Sequence, residues 1–136
     1  MTQYRTVEGS VDVIDTLTNL TTFANESSVG PIKVPASATR LVEIWTSVAV
    51  EIAASEENTY VLRLSGKGMA EGDQDFNIGS AAAMSGTATG NVVLGQLQRL
   101  PVQLRVTPNE TINVAAAITG TAAAATGQVG VTLVFA

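Results

Sequence analysis

Glu71, Asp73 and Asp75 alternate through the segment Ala-Glu-Gly-Asp-Gln-Asp, the densest group of side chains in this chain with a chemistry to offer. Alternating oxygen ligands beside a glycine can collect a hard cation such as Ca2+. A complete calcium loop also needs further acids and a closing glutamate, and these are missing. A solvated acidic loop is the simpler reading, and no metal is expected to be required. Paired carboxylates can hydrolyse glycosides without histidine. Glu43, Glu51, Asp73 and Asp75 are the acids eligible for that work. Glu43 and Glu51 lie far apart along one alternating run and read as charges on an exposed strand face. The remaining common mechanisms fail by counting, because the chain has no histidine and no cysteine. That removes the usual general base, the thiol nucleophile and the zinc-thiolate site. The expectation is a protein that is not an enzyme and carries no cofactor.

Other local signals are weaker. Gly66-Lys67-Gly68 lacks the spacing and the following Ser or Thr of a phosphate loop. Sugar binding without catalysis wants an aromatic platform, for which only Trp45, Tyr60 and Tyr4 are eligible. Trp45 reads better as a packing residue or interface anchor. Asn19, Asn25 and Asn109 each open a glycosylation acceptor triplet. In a threonine-rich chain such triplets arise by chance. The opening Met-Thr-Gln-Tyr-Arg has no apolar signal core.

Charge narrows the partners. The chain has 136 residues with 7 basic and 12 acidic ones, for a net charge of -5. Nucleic-acid binding asks for a basic footprint, which is absent, so direct contact with nucleic acid is not expected. Charged residues make up 14% of the sequence, against roughly 25% in a typical soluble domain. Two readings follow: a lightly charged, threonine-rich β protein, or a surface partly covered by other subunits. Residues 76–98 and 111–136 carry no charge at all. Neither stretch is a membrane span, since the longest unbroken apolar run covers only residues 114–118.

These residues are positioned by strands. The dominant hydrophobic period is two. Leu100, Val102, Leu104 and Val106 alternate with Arg99, Pro101, Gln103 and Arg105. Thr107-Pro108-Asn109-Glu110 is a turn, with proline setting φ and asparagine tolerating a left-handed backbone. Ile112, Val114, Ala116 and Ile118 continue the pattern, as do Val129, Val131, Leu133 and Phe135. Upstream, Val42, Ile44, Thr46, Val48, Val50 and Ile52 form one face of a long strand and Leu41, Glu43, Trp45 and Ala49 the other. Tyr60, Leu62 and Leu64 return antiparallel after a polar turn. Phe76 and Ile78 mark a short strand, residues 92–94 another, and Val7, Val11 and Val13 an opening one. The alanine clusters at 81–83 and 122–125 lack helix caps and read as loop. Eight or nine strands with regular turn signals predict an all-β fold, an antiparallel β-sandwich or a closed barrel, as one domain over residues 1–136.

This pattern resembles viral single jelly-roll proteins, both capsid and capsid-decorating types. The resemblance is carried by the strand count, the long strand over residues 40–52, the run Leu-Pro-Val-Gln-Leu-Arg-Val at 100–106 with its turn, and the closing strand over 127–135. It covers about two thirds of the chain and has no specific motif. It implies an antiparallel β-sandwich, a single jelly roll of about eight strands in two four-stranded sheets, with self-assembly into trimers, pentamers or a shell, contact with other shell proteins, a place in the virion and no catalysis. The chain departs from capsids that bind genomes through a basic N-terminal arm, which leans toward an outer or accessory role. Two other classes compete: a cell-surface filament subunit whose terminal strand completes a neighbour's sheet, and a jelly-roll module binding sugar or calcium. For an assembling protein the interface candidates are Ala83 and Ala123, small residues in uncharged segments, and Arg99 and Arg105 on an outward strand face. These arginines, with Arg63, pair either with acids of a neighbouring copy or within the chain.

The incomplete acidic loop makes a testable prediction. Treatment with EDTA should leave the melting temperature nearly unchanged, as followed by circular dichroism. A fall of many degrees, restored by Ca2+, would assign a metal to Glu71, Asp73 and Asp75.

Overall fold

A computed structural model describes residues 2–12, 18–19, 31–52, 57–82, 92–120 and 126–136. These residues form nine strands: β1 (Gln3–Asp12), β2 (Thr18–Asn19), β3 (Ile32–Lys33), β4 (Arg40–Ile52), β5 (Glu57–Ser65), β6 (Gln74–Ala82), β7 (Val92–Arg105), β8 (Thr111–Gly120) and β9 (Thr126–Phe135). One sheet has the order β1-β9-β4-β7 and the other β2-β8-β5-β6, with the short β3 also paired to β8. All pairings are antiparallel. Of these strands only β5 and β6 are neighbours both in sequence and in a sheet; β2 and β3 both pair with β8, and the other connections cross between the sheets. That is the jelly-roll order, so of the sandwich and the barrel that alternation leaves open the sandwich is the fold observed.

The core lies between the sheets. Phe135, Leu41, Ile44, Leu62, Leu64, Ile112 and Leu133 are fully buried. Alternation locates most of these residues and misplaces Leu41. Simple parity puts Leu41 on the outer face with Glu43 and Trp45. In the structure Leu41 pairs with Phe135 and Glu43 with Val134, so Val42 is an extra residue on β4. This bulge reverses the parity of the strand's first residues and turns Leu41 inward.

Two further expectations change. The runs at 92–94 and 99–106 form one continuous strand, β7, because β4 is long enough to pair with it from Ile52 to Arg40. Ala81 and Ala82, read as loop, belong to β6. Ala83, residues 122–125 and Val13 lie outside the described residues.

The turns behave as their residues require. Glu110 N–H donates to the Thr107 carbonyl at 3.2 Å, and Asn109 takes a φ of 66°. The same turn anchors the chain before β4, since Val34 N–H donates to the Glu110 carbonyl at 2.8 Å. Gly68 lies against β8, where a Cβ would stand 2.9 Å from the Thr111 backbone. The glycines around Lys67 therefore serve a close approach of two chain segments.

Thr46 sits on the core-facing row of β4 between Ile44 and Val48, 4% exposed. Its Oγ1 has no hydrogen-bond partner among the described residues. Thr46→Val keeps the shape and removes the unpaired hydroxyl. It should raise stability by about 1 kcal/mol and the melting temperature by a few degrees, measured by thermal denaturation.

Candidate functional site

The outer face of the β1-β9-β4-β7 sheet gathers side chains distant in sequence. Trp45 on β4 pairs with Thr132 on β9 and with Arg99 on β7. In the next row Tyr4, Val134, Glu43 and Pro101 stand abreast. The side chains converge across these rows. Trp45 Nε1–H donates to Glu43 Oε2 at 2.6 Å, and an Arg99 guanidinium N–H donates to the same oxygen at 2.9 Å. The Arg99 guanidinium carbon lies 4.6 Å from the Trp45 ring centroid, in cation–π range. The Tyr4 ring packs against Trp45 at 5.3 Å, tilted by 54°. Val134 is 3% exposed although it stands on the outer row, between Tyr4 and Glu43.

Electrostatics follow from this geometry. The Trp45 hydrogen bond, then that of Arg99, holds the Glu43 carboxyl below the usual glutamate range. Glu43 is thus an ionised acceptor with its charge matched, which suits it poorly to act as a proton donor. In the following row Glu8, Gly130, Ser47 and Leu97 stand abreast. A Cβ on Gly130 would meet Ser47 Oγ at 2.7 Å, so the face is flat there. Leu97 rises from its edge 87% exposed, and Tyr4 is 51% exposed.

The acids singled out from sequence are dispersed. Asp75 accepts two hydrogen bonds from the Arg63 guanidinium, at 2.7 and 2.9 Å, which lower its pKa and raise that of Arg63. Glu71 accepts from the Arg105 backbone N–H at 2.9 Å, with the Arg105 guanidinium 4.0 Å away. Asp73 is exposed. Among the described residues, no group of three or more metal-ligating side chains comes together. Within the chain, Arg63, Arg99 and Arg105 pair with Asp75, Glu43 and Glu71. Ala83 and Ala123 lie outside the described residues. Sequence reasoning singled out Trp45 and Arg99 separately and missed their convergence with Glu43 and Tyr4. The available signal was the outward parity shared by Glu43, Trp45 and Arg99.

No protein-family model and no curated protein sequence matches the chain. Several solved structures match in shape. The structure of infectious bursal disease virus, Gt strain, aligns over 96% of this chain and 33% of the viral chain, at 12% identity and TM-score 0.44. A disulfide-linked pilus of Bacillus endospore appendages aligns over 98% and 87%, at 13% identity and TM-score 0.34. The CBM22-1–GH10 modules of Clostridium thermocellum xylanase 10B, complexed with xylohexaose, align over 96% and 25%, at 13% identity and TM-score 0.37. This chain thus spans a third of the viral chain's length.

Trp45 is the sole tryptophan and reports on Glu43 directly. The unfolded chain takes up the Glu43 proton at the ordinary value, the folded chain only at lower pH. The ionised carboxylate therefore favours the folded state above the ordinary glutamate range, and this contribution is lost as pH falls through the folded value. Trp45 fluorescence should titrate with a midpoint below that of a free glutamate. In Glu43→Gln this step should vanish.

Proposed function

We propose that this chain is a non-enzymatic structural subunit that assembles with copies of itself, as a virion capsid protein or a protein decorating the shell. The observation that carries the reading is Leu97, a large apolar side chain 87% exposed on the same sheet face as Arg99, Trp45 and Tyr4. Tyrosine, tryptophan and arginine are the residue types that anchor interfaces, and exposed apolar area gains most from being covered. The scarcity of charge supports a surface partly buried in the working form. Jelly-roll order supports the shell, since viral capsid domains use this architecture. With a net charge of -5, contacts with other shell proteins suit the chain better than contact with a genome.

The sugar-binding alternative is less well served. Stacking a sugar needs a bare aromatic face, and the Trp45 ring is already engaged by the Arg99 guanidinium and the Tyr4 ring.

Native mass by light scattering tests the proposal. The protein should run at a multiple of 14.0 kDa. Ala83→Glu and Ala123→Glu place charge in the uncharged segments and should lower that mass while far-UV circular dichroism stays unchanged. Single-chain mass for the wild type at high concentration would overturn the assembly reading.

A further inference from the structure

Among the described residues the two sheets leave four edges, and three of them are blunted. β1 carries Arg5 at the register position of buried Leu133, a charge on the core-facing row, with Glu8 beyond it. β2 is two residues long. β6 carries a bulge, since Tyr60 pairs with Gly79 and Val61 with Asn77, leaving Ile78 as the extra residue. Inward charges, short strands and bulges are the usual devices that keep sheet edges from pairing with other chains.

β7 is different. It is 14 residues long, with β4 on one side and no strand on the other among the described residues. Residues 92–98 contain no charge and no proline. Arg99 does not guard the edge, because its guanidinium is drawn back over Trp45 to Glu43. Pro101 lacks an N–H, and an antiparallel ladder tolerates it where that group would point away from the paired neighbour. By alternation the peptide groups of Gly95, Leu97 and Arg99 then face the free edge as well.

We infer that the free edge of β7 pairs antiparallel with β7 of a second copy about a two-fold axis at Leu97, joining two β1-β9-β4-β7 sheets into one. The inference rests on the assembly reading and names one contact within it. With the axis at Leu97, each Leu97 faces its counterpart on the outer face, which covers the most exposed large apolar side chain of the described residues. Gly95 falls opposite Arg99 of the second copy, so the arginine meets a position without a side chain. Val93 falls opposite Pro101, where the missing N–H ends the ladder. No like charges stand opposite each other in this register, and a two-fold contact satisfies both copies at once.

The absence of native cysteine allows a direct test. Directly opposed, hydrogen-bonded residues of an antiparallel pair have Cα atoms about 5.5 Å apart, within the range a disulfide spans. Leu97→Cys should become a covalent dimer on mild oxidation with diamide, at a protein concentration where the wild type is assembled. Gln103→Cys lies on the same outer row of the strand, and in this register its two copies are roughly 40 Å apart. It should cross-link far more slowly. If Leu97→Cys cross-links no faster than Gln103→Cys while the wild type remains oligomeric, the β7 pairing is wrong and assembly proceeds through another surface. If the wild type also has single-chain mass, both readings fall together.

Discussion

The structure depends on β9 lying between β1 and β4. It pairs with β1 from Gln3 to Asp12 and with β4 from Leu41 to Val50. Its inward residues Val131, Leu133 and Phe135 have no exposed surface, and they join strands from distant parts of the chain into one core wall. Beyond β9, Ala136 bonds reciprocally with Arg40, its N–H donating to the Arg40 carbonyl at 2.9 Å and its carbonyl accepting from Arg40 N–H at 3.1 Å. Removing β9 would leave β1 without a partner in its sheet and β4 with only β7. Such pairing is non-local throughout, which places folding among the slower topologies.

The outer face inherits its geometry from the same insertion. Tyr4 reaches Trp45 only because β9 sets β1 and β4 two strand spacings apart and in register. The Val42 bulge supplies the second condition. Without the extra residue, continuous alternation from Leu41 would turn Glu43 inward, and the carboxylate would lose both its solvent and its arginine. The bulge instead brings Leu41 into the core and leaves Glu43 outside with Trp45 and Arg99. One inserted residue thus serves core packing and the polar cluster together.

Much of the fold was legible in the sequence because alternation is a local signal. The bounds of β4, the turn at Asn109 and the inward faces of β8 and β9 follow from residue order alone. Strand pairing is a global property, and there the reading stopped. The bulge at Val42 is invisible where an apolar residue precedes and follows the slip, since Leu41 and Val42 satisfy a core position equally well. Gly95 interrupted the hydrophobic pattern of β7, although β4 pairs with the strand throughout. The site was less legible still. Glu43, Trp45 and Arg99 each showed outward parity, while their meeting depends on the β4–β7 register, and Tyr4 offered no pattern of its own.

The arginines matter for how such a surface can associate. Arg63, Arg99 and Arg105 stand on outward positions where they would steer a partner if free. Each is instead matched to an acid of its own chain, Asp75, Glu43 and Glu71 respectively. Exposed pairs of this kind add little to stability, about 0–1 kcal/mol each, but they cancel charge locally. Between residues 97 and 101 the outer face of β7 then offers Leu97 and Pro101 beside the matched Arg99, and the edge away from β4 meets no strand among the described residues. Contact through backbone groups and close-packed small residues is short-ranged, and salt screens it far less than charge steering. A chain with so few charges, most of its arginines already matched, is therefore suited to contacts set by shape and strand register.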